Sequence, residues 1–172
     1  KILSLSDKTK EKMTRIGLLS DTHGYWDERY LKYFDPCDQI WHAGDIGSME
    51  VAERLAAFRP LKAVYGNIDG QDMRHTFPET ARFTVDGADV LMKHIGGYPG
   101  KYDPSIRSVL LANPPKLFIS GHSHILKVKY DQTLGLLHIN PGVSRNIRIP
   151  YGPYFKYVSA STTETFPTLE VI

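Results

Sequence analysis

The feature of this sequence that most constrains its fold is a series of short apolar segments, each followed at once by polar residues able to bind a metal. The segments span residues 15–20, 39–43, 61–65, 89–93 and 116–120. Short apolar runs of this kind are typical of buried strands, and ligand sites in α/β sheets gather beyond the carboxyl ends of strands. We therefore predict one shared metal site at these strand ends, built from Asp21, His23, Asp45, Asn67, His94, His122 and His124.

The rest of the pattern predicts an α/β layered fold with mixed sheets. Residues 49–58 place Val51, Leu55 and Phe58 on one helical face. A second helix is predicted over 105–112 and is closed by Asn113-Pro114-Pro115. Segments 82–85, 127–130, 136–140 and 154–161 alternate as exposed strands do. We expect a polar N-terminal extension over residues 1–12 and a single domain over 13–172.

Composition excludes several classes of function. The net charge is +2, and there is no stripe of Lys and Arg, which disfavours a nucleic-acid partner. The single Cys37 excludes an internal disulfide framework and fits a reducing compartment. No apolar run approaches the ~20 residues of a membrane span, and residues 1–12 lack the apolar core of a signal peptide. We predict a cytoplasmic protein with a small-molecule substrate and no membrane partner; exposed edge strands would also permit a homo-oligomer.

The types of ligand predict the chemistry of the site. A mixture of imidazole and carboxylate suits Mn²⁺, with Fe, Zn²⁺ or Ni²⁺ as alternatives. Seven ligands are too many for one such ion and suit two divalent metal ions that share a carboxylate; Asp45, which has no ligand beside it in the sequence, is the natural bridge. The site would keep a small positive charge that attracts a phosphate ester. Two ions ~3.5–4 Å apart can activate water and stabilise an in-line displacement, so we predict phosphoester hydrolysis by a metal-bridging hydroxide.

Local sequence also predicts how the ligands converge. In an extended chain, residues i and i+2 point the same way, so Asp21 with His23, and His122 with His124, could each face one centre. A glycine precedes each of Asp45, Asn67 and His122. Glycine suits a chain that turns sharply while it approaches a ligand closely.

The ordered series D-x-H, G-D, G-N-x-D, a lone H and G-H-x-H resembles the calcineurin-like metallophosphoesterase superfamily over residues 15–148. The short length and the form GNID resemble its small, single-domain bacterial and archaeal branch of YfcE-type phosphodiesterases. The resemblance implies a four-layer α/β/β/α sandwich of two mixed sheets flanked by helices, with a dinuclear metal site. It implies a first metal held by Asp21, His23 and His124, a second held by Asn67, His94 and His122, and a bridge at Asp45. We predict catalytic roles for Asp45, Asn67 and His94.

Two departures from the family pattern affect the reaction. Larger members carry a His, taken to protonate the leaving group, where this chain has Ile68. The branch usually places Gly directly after the His that matches His94, whereas Ile95 follows it here. The reaction should therefore favour good leaving groups or protonation by solvent. The candidates for the general acid, His75, Tyr98 and Arg145, lie outside any matched motif.

Several alternatives stay open at this point. A eukaryotic retromer subunit shares the family scaffold, so a catalytically silent protein-binding scaffold is the alternative to a phosphodiesterase or phosphatase. A nuclease is a third hypothesis, disfavoured by the weak charge. Lone histidines such as His42 and His138 are more often structural than ligands, although either could support a ligand. Asp69 could cap a turn or orient Asn67 or a ligating histidine.

Overall fold

The structure is a computed structural model that describes residues 14–144 together with 155–158 and 169–171. The predicted extension over residues 1–12, the candidate acid Arg145 and the rest of the segment 154–161 lie outside the described residues. The described elements, in chain order, are β1 (Ile16–Leu19), α1 (Arg29–Phe34), β2 (Gln39–His42), α2 (Met49–Phe58), β3 (Leu61–Ala63), α3 (Gln71–Thr76), β4 (Thr80–Val85), β5 (Ala88–Lys93), β6 (Gly97–Tyr98), β7 (Lys101–Tyr102), α4 (Pro104–Ala112), β8 (Leu117–Ile119), β9 (Leu126–Asp131), β10 (Leu136–Pro141), β11 (Phe155–Val158) and β12 (Leu169–Val171).

Two five-stranded mixed sheets form the centre of the fold. One sheet has the order β12-β11-β1-β2-β3, and the other has the order β4-β5-β8-β10-β9. Parallel pairing joins β1 to β2 and β2 to β3 in the first sheet, and β5 to β8 and β8 to β10 in the second. Because parallel strands end at the same edge of a sheet, the polar residues that follow β1, β2 and β3 are brought together, as are those that follow β5 and β8.

Three apolar clusters separate four layers. The first, which includes Ile16, Trp41 and Ile139, draws on strands of both sheets and forms the core between them. The second packs α1 and α2 on the first sheet, and the third packs Ile106 and Leu110 of α4 on the second. The predicted α/β/β/α sandwich is confirmed. In the part of the chain that the structure describes, no helix has the length and apolarity that a bilayer crossing requires.

Side chains cap the starts of α2 and α4. The Ser48 hydroxyl accepts a hydrogen bond from Val51 N at 3.3 Å, so α2 starts at Met49 as predicted and buries Val51 and Leu55. The carboxylate of Asp103 caps α4, and Pro104 occupies its first position, one residue before the predicted start.

One prediction about the later strands was wrong in part. Segment 136–140 was expected to be an exposed strand, but β10 is buried along its whole length because it lies between β8 and β9. Its Ile139 faces the core between the sheets while Leu136 packs toward α4, so both faces are covered. Residues 97–102 form the short β6–β7 hairpin.

Candidate metal centre

Six of the predicted ligands form two compact groups at the strand ends. One group is Asp21, His23 and His124, and the other is Asp45, His94 and His122; within each group the potential ligand atoms all lie within 4.8 Å of one another. His124 Nε2 lies 3.2 Å from Asp21 Oδ1, and His94 Nε2 lies 3.3 Å from Asp45 Oδ1. The Asp21 oxygen is also 4.0 Å from His94 Nε2, so the groups adjoin.

Asp21 presents one oxygen to the histidines and anchors the other. Oδ2 accepts hydrogen bonds from the Ser20 hydroxyl at 2.5 Å and from His122 N at 3.2 Å. Oδ1 is buried without a hydrogen-bond partner in the described part of the chain. Burial raises the pKa of Asp21, against the lowering effects of the Ser20 hydrogen bond and of His94 and His124. The sequence did not single out Ser20; the available signal was a hydroxyl placed directly before the first ligand.

His94 is held in the tautomer that a metal ligand needs. Its Nδ1 donates to the Ala43 carbonyl at 2.7 Å, which leaves the lone pair on Nε2. That Nε2 is buried and, within the described residues, has no hydrogen-bond partner, although two carboxylates lie within 4.0 Å. Unpaired buried polar atoms are costly, and a cation would satisfy both His94 Nε2 and Asp21 Oδ1. The residues therefore fit a divalent metal pair, as the donor types predict.

The backbone at the site is left-handed rather than extended. Asp21, His23, Asp45, His122 and His124 have φ of 57°, 50°, 54°, 67° and 58°. Our expectation that the D-x-H and H-x-H pairs converge through extended geometry was therefore wrong. Left-handed backbone is uncommon for residues with a side chain, and such strain clusters at functional sites. Its concentration on candidate ligands supports a functional role for these turns.

Asp69 ties together the two loops that follow β2 and β3. Its carboxylate accepts hydrogen bonds from Gly66 N at 2.7 Å, from Gly47 N at 2.8 Å and from Ile46 N at 3.3 Å. Asp69 is 3% exposed. It therefore holds the Asp45 loop against the Asn67 loop through their backbones.

Replacing Asp69 with asparagine should loosen this junction. The amide group offers one acceptor oxygen, and its NH₂ would face a backbone N–H, so we expect the free energy of unfolding to fall by ~1–3 kcal/mol. Urea denaturation of the metal-free protein measures the change. Asp72→Asn, on the exposed face of α3, is the control and should change stability little. Equal stability of the two variants would contradict the assigned role of Asp69.

His42 joins the loops that follow β1 and β2. Gly44 N donates to its Nδ1 at 3.2 Å, so Nε2 carries the proton and bonds Thr22 Oγ1 at 3.0 Å. The Thr22 hydroxyl in turn donates to the Ile46 carbonyl at 2.9 Å. Burial, with the charges of His94 and His23, lowers the pKa of His42 to about 3, so this residue is neutral. His42 thus has a structural role, in line with the more conservative interpretation.

The remaining predicted residues lie around the second group. Asn67 is exposed and lines a cavity together with His94. Ile68 is 48% exposed, and its N–H donates to Asp45 Oδ1 at 3.1 Å, so its backbone rather than its side chain contacts a ligand. Of the candidate acids, Tyr98 lines a cavity that His122 also lines, whereas His75 is exposed on α3.

Comparison with known proteins finds relatives among the metallophosphoesterases. A family model described as the calcineurin-like phosphoesterase superfamily domain matches residues 14–163. A probable metallophosphoesterase of Methanothermobacter thermautotrophicus is 31% identical over 135 residues, covering 74% of this chain and 75% of the relative. A probable metallophosphoesterase of Mycoplasma pneumoniae is 30% identical over 151 residues, covering 82% of this chain and 84% of the relative.

Solved structures support the fold. A structure described as a novel archaeal phosphodiesterase has a TM-score of 0.67 at 19% identity and covers 92% of this chain and 100% of its own. The structure of vacuolar protein sorting 29 from Cryptosporidium parvum has a TM-score of 0.66 at 16% identity. It covers 93% of this chain and 98% of its own. At these identities, the similarity concerns the fold alone.

Proposed function

The chain belongs to the calcineurin-like phosphoesterase superfamily, and from this premise we propose that it is a phosphodiesterase that uses two divalent metal ions. The observation that carries the proposal is the pair of adjoining His and Asp groups, whose buried Asp21 Oδ1 and His94 Nε2 lack hydrogen-bond partners in the described residues. Asp21, His23 and His124 would hold one ion, and His94, His122 and Asn67 the other, with Asp45 shared between them. Mn²⁺ is the proposed metal.

The chain's own groups define what the site can do. When bound, two divalent ions would supply an activated water and positive charge at the phosphoryl group. Asp21 and Asp45 provide the negative charge that holds the ions, and the Ala43 carbonyl keeps His94 in its ligating tautomer. The side chain of Ile68 offers no proton where larger relatives are taken to have an acid. The site should therefore hydrolyse esters with good leaving groups fastest.

The test is hydrolysis of bis(p-nitrophenyl) phosphate with added Mn²⁺. We expect Asp45→Asn and His124→Ala to lower kcat/KM on the order of 10³-fold, because each loses a ligand whose metal provides several kcal/mol of transition-state stabilisation. Asp72→Asn is the matched control for Asp45→Asn and should retain activity, since Asp72 is exposed on α3 and lies outside both groups. Absence of turnover in the parent protein, or full activity in both ligand variants, would refute the proposal.

A protein-binding scaffold is the second candidate, since the vacuolar sorting structure shares the fold. A protein that binds metal but hydrolyses no ester in a broad panel would favour the scaffold. The set of seven predicted ligands, six of which form the two groups, supports the enzyme.

A further inference from the structure

Among the residues that the structure describes, two cavities flank the second group of ligands. The first, about 360 Å³ in volume, is lined by Asn67, His94, Tyr65 and Arg74. The second, about 630 Å³ in volume, lies between the β6–β7 hairpin and the loop that carries His122. We call this second cavity the hairpin cleft; Ile95 and Asp103 line both cavities. A phosphorus atom held at the metal ligands would thus have room for a substituent on either side.

The hairpin cleft has the surface that suits an aromatic ring. Tyr98 is 38% exposed, and Ile125 is 62% exposed although it directly follows a candidate ligand. The ammonium of Lys127 lies 3.6 Å from the centroid of the Tyr98 ring, so it covers one face of that ring and brings positive charge into the cleft. Lys101 adds a second cation against the single carboxylate of Asp103, so the lining is net positive.

A buried polar pair lies at the wall of the cleft. Ser120 Oγ lies 2.9 Å from His138 Nε2 and 3.3 Å from the Gly97 carbonyl oxygen, so it links β8 and β10 to the hairpin. His138 lines the cleft but is 1% exposed. The side chains open to a ligand are therefore those of Tyr98, Ile125 and the two lysines.

We propose that the hairpin cleft is the subsite for a nucleoside-like arm of the phosphodiester substrate, with Tyr98 and Ile125 contacting the base. This inference rests on the proposed function, because it assigns one arm of the ester hydrolysed at the metal ligands. The cavity beside Asn67 suits the base less well. It is the smaller of the two cavities, at about 360 Å³ against about 630 Å³.

The experiment compares the binding of AMP and of inorganic phosphate to the Zn²⁺-loaded protein by calorimetry. Stacking of a base on an aromatic ring contributes ~1–3 kcal/mol, so we expect AMP to bind on the order of tenfold more tightly than phosphate. Tyr98→Ala and Ile125→Ser should each lower this ratio of AMP affinity to phosphate affinity to near one, without changing the affinity for phosphate. Tyr65→Ala, the matched tyrosine in the other cavity, should leave the ratio within about twofold. Amide NMR spectra should show AMP shifting residues 96–98 and 123–127, and should confirm that each variant is folded.

The outcomes separate this inference from the proposed function. Equal affinities for AMP and phosphate in the parent protein, or an unchanged ratio in both cleft variants, would overturn the subsite. If Tyr65→Ala alone removes the preference for AMP over phosphate, the base lies in the cavity beside Asn67. That result would also overturn the assignment of the subsite to the hairpin cleft. If AMP binds through the cleft while no phosphodiester is hydrolysed, the subsite stands and the proposed function fails.

Discussion

Replacing Asp21 with asparagine should abolish the response of the protein to divalent metal while preserving its metal-free fold. Asp21 Oδ1 lies 3.2 Å from His124 Nε2, 3.9 Å from His23 Nε2 and 4.0 Å from His94 Nε2, so it approaches nitrogens of both ligand groups. Asparagine keeps one oxygen that can accept from Ser20 and His122 N, but its NH₂ would face the histidines. We expect metal-dependent hydrolysis to fall on the order of 10³-fold or more.

The same substitution should alter how stability depends on pH. Burial raises the folded-state pKa of Asp21, so in the metal-free protein the folded state holds this proton more tightly than the unfolded state does. The free energy of unfolding therefore decreases as the pH rises from the unfolded-state pKa of Asp21 toward its higher folded-state pKa. Asparagine has no charge to bury, so the metal-free variant should lose less stability than the parent between pH 4 and pH 7.

Thermal unfolding with chelator or with Mn²⁺ measures both effects. Mn²⁺ should raise the Tm of the parent by several degrees, because a ligand that binds only the folded state stabilises it by mass action. It should leave the Tm of Asp21→Asn nearly unchanged. Asp131→Asn, on β9 and outside both ligand groups, should keep the full metal response. An undiminished Mn²⁺ shift in Asp21→Asn would show that Asp21 is not a ligand.

The general position of the site was predictable because strand periodicity and ligand chemistry are both local in sequence. The apolar runs predicted the buried β1, β2, β3, β5 and β8. Parallel pairing then leaves little freedom in where the residues after each strand can lie. The sequence thus led to both groups of ligands without any knowledge of side-chain packing.

The conformation of the ligand turns was not predictable in the same way. Local preference favours extended backbone for Asp21 and His23, whereas both are left-handed in the structure. That conformation depends on long-range contacts, since His23 N donates to the Asp45 carbonyl at 3.0 Å and Asp21 N to the Gly44 carbonyl at 3.0 Å. The hydrogen bonds of Asp69 to the loop that follows β2 also join residues that are distant in sequence. The same is true of the residues that line the hairpin cleft. Such features appear only once the chain has folded.

The glycines of the motifs illustrate the same limit. The sequence predicted that each glycine before a ligand turns sharply while it approaches a ligand closely. At Gly44, φ is 94°, and a Cβ would also lie 2.7 Å from the His94 side chain. Gly66 and Gly121 do not have positive φ; a Cβ on Gly121 would lie 2.1 Å from Ser20 Oγ. Close approach, rather than turning, is therefore the reason for these two.

Gly66→Ala should consequently disrupt the centre far more than Gly70→Ala in the same loop. A Cβ on Gly66 would lie 2.0 Å from Asp45 Oδ1 and 2.4 Å from Asp45 N, whereas a Cβ on Gly70 would have no atom within 4 Å. Because a backbone nitrogen cannot move aside like a flexible side chain, the Asn67 loop must separate from the Asp45 loop. Overpacking typically costs ~1–3 kcal/mol, and we expect the upper end of that range.

The displacement should also reduce catalysis, because a shift of ~1 Å in a positioned group can cost on the order of 10²-fold in rate. Urea denaturation and hydrolysis of bis(p-nitrophenyl) phosphate, measured on both variants, test the contrast. Gly70→Ala should stay within ~0.5 kcal/mol of the parent and keep its activity, since Gly70 has a φ of −75° that alanine adopts readily. If Gly66→Ala is as stable and as active as Gly70→Ala, then Asp45 does not depend on close packing against this loop.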